Sequence, residues 1–189
     1  MGKEGLFMRI AFFSTKPYDR IWFEPMAKDY GYEIYFIELP FSEETMFLAK
    51  GYDAACIFVN DHVNGKMIDY LYENKVKALL LRSAGYNHVD VKAAKGKIEV
   101  LRVPSYSPEA VAEFAMAMLL TVNRFTHKAY GRTREFNMNI NGLMGTDLFH
   151  KVAGVIGTGK IGQAMIRIFQ GFRMNILAYD PYPNKSLDV

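Results

Sequence analysis

Lys151 to Pro181 reads KVAGVIGTGKIGQAMIRIFQGFRMNILAYDP, and the fold is decided there. Val152 to Ile156 is a short apolar run with β-branched residues, the pattern of a strand covered on both faces of a parallel sheet. Gly157, Gly159 and Gly162 follow at the spacing G-x-G-x-x-G. The first glycine permits a tight turn, the second lets a pyrophosphate approach the backbone, and the third lets the next helix pack close to the strand. That helix is amphipathic, with Ile161, Ala164, Met165, Ile168 and Phe169 on one stripe. Its free N-terminal amides, near Lys160 and Ile161, suit phosphate at the positive end of the helix dipole. A second strand, Asn175 to Tyr179, ends on Asp180, 18 residues after Gly162.

An acid at that place accepts hydrogen bonds from the adenosine ribose in a dinucleotide site. Its charge would repel a 2′-phosphate, so it favours NAD over NADP. A glycine-rich turn alone is compatible with many α/β proteins. Strand, glycines, helix, strand and terminal acid in register favour the dinucleotide reading, with Gly157, Thr158, Gly159, Lys160, Ile161, Gly162 and Asp180 as candidate cofactor-binding residues.

Upstream, apolar strand-like runs alternate with helical patterns, the signature of βαβ units and a parallel sheet. Strands are expected at Arg9 to Phe13, Glu33 to Ile37, Ala54 to Phe58, Ala78 to Arg82 and Glu99 to Arg102. Between them Asp19 to Tyr30 carries Ile21, Trp22, Met26 and Tyr30 at helical spacing, and Gly65 to Asn74 carries Met67, Ile68 and Leu71. Ser42 reads as an N-cap for a helix over Glu43 to Ala49. The helix from Pro108 to Val122 has Ser107 as its cap and Pro108 at its first position, and is apolar on nearly every face from Phe114 to Leu120. Such a helix is expected to be buried all round, between domains or subunits. Asn137 to Phe149 reads as an extended arm.

The 189 residues allow one well-buried domain and a fraction of another. Half the residues are apolar and 23% are charged, which excludes a disordered chain. A net charge of +3 demands no nucleic-acid partner, and the basic segment holding Arg124, Lys128, Arg132 and Arg134 reads as a solvated face or a subunit contact. Cys56 is the single cysteine and lies in an apolar run, so it reads as a buried structural thiol. No signal peptide is evident, no apolar run approaches the roughly 20 residues that span a bilayer, and a cytoplasmic protein is expected.

Four stretches carry a likeness to a known family: LLLRSAGYNHVD (Leu79 to Asp90), RVPSYSPEAVAEFAMAMLLTVNR (Arg102 to Arg124), KAYGRTREFN (Lys128 to Asn137) and GVIGTGKIGQAM (Gly154 to Met165). Together they resemble the NAD-dependent D-2-hydroxyacid dehydrogenases, and within them the bacterial fermentative D-lactate dehydrogenases. The resemblance implies a flavodoxin-like parallel-sheet substrate domain over 1–103 and an interdomain and dimerisation helix with its arm over 104–150. It implies the start of a Rossmann NAD-binding domain over 151–189. By the same likeness Ala84 and Gly85 hold a substrate carboxylate through backbone N–H groups, with Tyr106 near the same carboxylate. The reaction implied is reversible hydride transfer between NADH and pyruvate, or a related small 2-oxo acid, in a homo-oligomer formed through 108–150.

The family's arginine, acid and histidine come from the later part of its NAD domain, and no residue here matches those positions. The histidines His62, His88, His127 and His150 therefore receive no catalytic role, although His88 follows the carboxylate-binding turn. Metal-ligand spacing is absent. Two strands cannot complete a dinucleotide-binding sheet, so the second helix is expected to leave one apolar face partly exposed. The alternative reading is a noncatalytic fragment acting as a nucleotide-binding or dimerisation module.

Overall fold

The computed structural model describes residues 8–183 and 187. Two compact units divide between Tyr106 and Ser107. In the first, strands β1 (Arg9–Phe12), β2 (Glu33–Phe36), β3 (Ala54–Ile57), β4 (Ala78–Leu81) and β5 (Glu99–Arg102) form one parallel sheet in the order β2-β1-β3-β4-β5. This is the flavodoxin-like order, in which the chain reverses direction across the sheet between β1 and β3.

Helix α1 (Pro17–Tyr30) covers one face and helices α2 (Gly65–Glu73) and α3 (Val91–Ala94) the other. Alternation along a strand explains the two cores. Ile10 and Phe12 join Ala54, Cys56 and Phe23 of α1, whereas Ala11 and Phe13 join Ile57, Leu79 and the α2 residues Met67, Ile68 and Leu71. Each of those fully buried α2 side chains contributes about 1.5–3 kcal/mol of apolar burial. Asn64 starts α2 by accepting from the Met67 N–H at 3.1 Å, and Asp90 starts α3 by accepting from Ala93.

Two expectations fail in this unit, and one helix goes unanticipated. Ile21, Trp22, Met26 and Tyr30 of α1 are exposed, because the helix turns Phe23 and Ala27 toward the sheet. Ser42 caps no helix: its hydroxyl donates to Glu44, Met46 N–H bonds the Ser42 carbonyl, and only a short 3₁₀ turn forms over Met46–Ala49. Helix α3 carries no periodic signal in the sequence and is set by its Asp90 cap.

The second unit contains α4 (Pro108–Arg124), α5 (Thr126–Arg134), β6 (Val152–Ile156), α6 (Lys160–Gly171) and β7 (Asn175–Tyr179), with β6 and β7 parallel. Ser107 caps α4 by accepting from Ala110 N–H at 3.1 Å. Its Met116 packs with Ala153 and Val155 of β6 and Ile166 and Phe169 of α6. At the end of α4, Asn123 pairs with the Thr146 backbone through both its amide nitrogen and its oxygen. Gly145 passes so close that a Cβ there would lie 2.2 Å from the Asn123 carbonyl oxygen.

Burial here departs from the sequence expectation. On α4 only Ala112 and Met116 are buried, and Phe114, Met118 and Val122 are exposed. Strand β6 is covered on one face only, with Ala153 and Val155 buried and Ile156 88% exposed. Helix α6, expected to leave an apolar face partly open, packs its face on α4 and β6; within its stripe only Ile161 is exposed, and Ile166 is buried in addition. The uncovered apolar surface thus lies on the sheet and on α4.

Candidate functional site

At the carboxyl end of the five-stranded sheet, two buried acids hold the strand ends together. Asp61, 2% exposed, accepts from the Ser14 hydroxyl and the Phe58 N–H, each at 2.7 Å. Asp19 accepts from Lys16 N–H in a capping box and from the Arg82 guanidinium at 2.9 Å. Arg82 also donates to the carbonyls of Phe13 at 2.6 Å and Ile57 at 3.4 Å, and its guanidinium lies 4.1 Å from the Phe12 ring centre. One side chain therefore ties the ends of β1, β3 and β4 to the first turn of α1. Sequence reasoning missed this network. Its signal was an arginine closing the run Leu79–Leu81, since a charge in a buried strand context requires a partner.

Directly after Arg82 the chain turns through Ser83, Ala84 and Gly85. Every carbonyl of the turn has a donor: Val103 N–H serves Ser83 at 3.1 Å, Arg102 serves Ala84 at 2.9 Å, and the Ser83 hydroxyl serves Gly85 at 2.8 Å. The N–H groups of Ala84 and Gly85 meet no acceptor among the described residues. A Cβ on Gly85 would meet open space. Two unpaired amides at the end of a strand are free donors of the kind that bind anions. Tyr106 is exposed, and its hydroxyl bonds no described residue.

The glycines of the second unit divide the work as their spacing requires. Gly157 has φ +94°, a conformation that other residues rarely adopt. A Cβ on Gly162 would lie 2.0 Å from the Gly157 carbonyl oxygen, so only glycine lets α6 start this close to β6. Gly159 faces open space and offers no capping side chain. No described residue accepts from the Lys160 or Ile161 N–H, and these donors stand at the positive end of α6.

Asp180 follows β7 and is already engaged by the loop. Its Oδ2 accepts from the Thr158 N–H at 2.6 Å and the Thr158 hydroxyl at 3.0 Å, and its Oδ1 accepts from Tyr182 N–H at 2.8 Å. The Thr158 backbone bond, followed by that of Tyr182, holds this carboxyl below the usual carboxylate range. Oδ1 retains acceptor capacity for another donor.

His88 is half-buried; its Nε2 is buried and has no hydrogen-bond partner. Desolvation, with a smaller contribution from His62, lowers its pKa below the ordinary imidazole value. His62, His127 and His150 are exposed. Cys56 is buried and its pKa is pushed up to about 12 by desolvation, as suits a structural thiol. Among the described residues no group of three or more His, Cys, Asp or Glu could hold a metal ion, and no helix is long and apolar enough to cross a membrane.

Residues 10–178 match the sequence family described as D-isomer specific 2-hydroxyacid dehydrogenase, catalytic domain. The chain belongs to this family. Among individual relatives, it is 47% identical over 180 residues to the D-lactate dehydrogenase of Escherichia coli, covering 95% of this chain and 55% of that protein. The apo structure of the E. coli enzyme superposes with a TM-score of 0.86 at 47% identity, over 94% of this chain and 57% of that one. A D-lactate dehydrogenase from Aquifex aeolicus, solved with NAD and lactic acid, gives a TM-score of 0.77 at 26% identity, over 93% of this chain and 52% of that one. This 2-hydroxyacid dehydrogenase chain spans about half the length of the curated relatives it matches.

Proposed function

We propose that the chain supplies the substrate-binding part and the first nucleotide-binding unit of an NAD-dependent D-2-hydroxyacid dehydrogenase that interconverts pyruvate, or a related small 2-oxo acid, and its 2-hydroxy acid in the cytoplasm. The observation carrying this reading is the G-x-G-x-x-G turn with an open Gly159, unpaired Lys160 and Ile161 amides and an oriented Asp180. NADH, when bound, supplies the hydride. The Lys160 and Ile161 amides hold its pyrophosphate, and the remaining acceptor capacity of Asp180 Oδ1 takes an adenosine ribose hydroxyl. The Ala84 and Gly85 amides hold the substrate carboxylate, with the Tyr106 hydroxyl as a further donor. Within this chain no residue is assigned to move the hydroxyl proton or to polarise the substrate carbonyl.

A second copy of the chain is the proposed cover for the apolar surface of 108–150. Phe114, Met118 and Val122 are exposed on α4, and the arm adds Phe136, Met138 and Ile140 at alternate positions. The intervening asparagines satisfy much of the arm's backbone: Asn137 accepts from Asn139 N–H, Asn139 accepts from Asn141 N–H, and Arg132 donates to both the Asn139 and Asn141 carbonyls. An arm built this way offers apolar side chains at little polar desolvation cost.

The test is an NADH oxidation assay with pyruvate on the purified 189-residue chain, beside a binding titration with NADH. No turnover is expected, because acid catalysis worth about 10² to 10⁴ and carbonyl polarisation worth about 10² to 10³ have no identified donor. Turnover that vanishes in His88→Ala would make His88 the acid/base and overturn this division of roles. The alternative is a noncatalytic nucleotide-binding or dimerisation module. Coding sequence beyond codon 189 that continues through an arginine, an acid and a histidine in family-like contexts selects the enzyme, and an authentic stop selects the module.

A further inference from the structure

We propose that Arg102 is a positioning residue of the substrate site, aiming the Gly85 N–H at the substrate carboxylate by holding the Ala84 carbonyl from behind. The inference rests on the reading of the Ala84–Gly85 turn as the carboxylate site. No peptide bond among the described residues is cis, and in a trans peptide the C=O of one residue and the N–H of the next point in opposite directions. Whatever fixes a carbonyl therefore fixes the following amide. Val103 N–H on the Ser83 carbonyl sets the Ala84 amide, Arg102 on the Ala84 carbonyl sets the Gly85 amide, and the Ser83 hydroxyl on the Gly85 carbonyl sets the Tyr86 amide.

Of these three donors only Arg102 is charged. A cation on the carbonyl draws electron density from the peptide and strengthens its N–H as a donor. The guanidinium carbon also lies 5.6 Å from the Tyr86 ring centre, which restrains the side chain at an exposed site. Gly85 has no Cβ to obstruct the approach on the amide side and no side chain to restrict its backbone. The turn thus depends on an external clamp for its orientation. Lys95 lines the same groove as Arg102 but bonds no part of the turn, so it is a matched control for charge alone.

The experiment is NMR on the 189-residue chain, using oxamate as the probe at constant ionic strength. In the free chain, Arg102→Met should shift the Ala84 carbonyl carbon resonance upfield through loss of its donor, and Arg102→Lys should retain most of the wild-type position. On titration the wild-type Ala84 and Gly85 amide protons should move downfield. Arg102→Met should weaken oxamate binding about fivefold, the loss of one exposed charge-assisted hydrogen bond. Arg102→Lys should recover much of the affinity, and Lys95→Met should leave it unchanged. Oxamate binding by Arg102→Met as tight as wild type, an unmoved Ala84 carbonyl resonance in that variant, or an equal loss in Lys95→Met would each overturn the positioning role. Absence of any oxamate response at Ala84 and Gly85 in the wild-type chain would instead sink the carboxylate-site reading, and the positioning role with it.

Discussion

Strands β3 and β6 have similar sequences, AACI and VAGVI, and opposite fates. Every residue of β3 is buried, whereas β6 alternates buried and exposed along its length. The first strand lies between β1 and β4 with helices on both faces of its sheet, and the second has one strand neighbour and a cover on one face. Short apolar runs specify a strand and its core side equally well in both units. What differs among the described residues is the cover itself, on both faces for β3 and on one for β6.

The sharpest way to break the comparison is at the clamp that closes the first unit. Arg82→Met leaves Asp19 buried beside carbonyls with no cation, and removal of one member of a buried pair costs about 3–5 kcal/mol. Urea unfolding followed by resolved amide resonances should show that loss for residues up to Tyr106 while residues from Ser107 keep their midpoint. A shared shift would mean that the two units unfold together.

In the second unit, Gly162→Ala should have the next largest effect. The new methyl meets backbone 2.0 Å away rather than a side chain that can move, so overpacking of roughly 1–3 kcal/mol is expected, together with loss of NADH binding. Thermal unfolding and a fluorescence titration with NADH measure the two. Retained stability with retained binding would show that α6 can retreat from β6 at no cost.

Met118→Lys probes the uncovered apolar surface. Because Met118 is exposed within one copy, the substitution should leave the fold intact and weaken self-association about tenfold or more by placing an unpaired charge in the interface. Sedimentation equilibrium gives the dissociation constant and circular dichroism the fold. An unchanged dimer would remove this face of α4 from the contact.

Smaller effects are expected at Asp180. Asp180→Ala should weaken NADH roughly tenfold and NADPH much less, since only the former loses an acceptor without escaping a repulsion. Equal losses would show that this acid does not read the ribose. Its folded pKa is depressed, so its contribution to stability is present above the unfolded carboxylate value near 3.9 and disappears as pH falls through the lower folded value. Thr158→Val removes one of the donors responsible and should move the Asp180 carboxyl resonance titration upward toward the ordinary value, a shift read directly by carbon NMR.

The legible parts of the molecule were those governed by local chemistry. The strands were recognised to within a residue, the Ser107 cap functions as read, and Gly157 and Gly162 occupy positions that the geometry reserves for glycine. The α1 stripe was misread because periodicity identifies an apolar face but not whether anything covers it. Ile21, Trp22 and Met26 satisfy the helical pattern as well as Met67, Ile68 and Leu71 do, yet only the second set is buried. Asp61 and Asp19 were invisible for the opposite reason: each looks like an ordinary surface charge until strand ends distant in sequence meet, and Arg82, though its place after an apolar run calls for a partner, does not say which.

By itself, then, the sequence determined the order of the strands, the glycine turn, the Ser107 cap and the family. These depend on the conformational limits of individual residues and on spacings within one element, which a linear chain displays directly. Tertiary structure alone decided that Arg82 closes one sheet, that Arg102 holds the Ala84 carbonyl, that Thr158 engages Asp180, and which apolar faces stay uncovered. Those contacts join residues 18 to 69 positions apart. A hydrogen bond or a buried surface over such separations exists only once the intervening chain has folded, and no local preference encodes it.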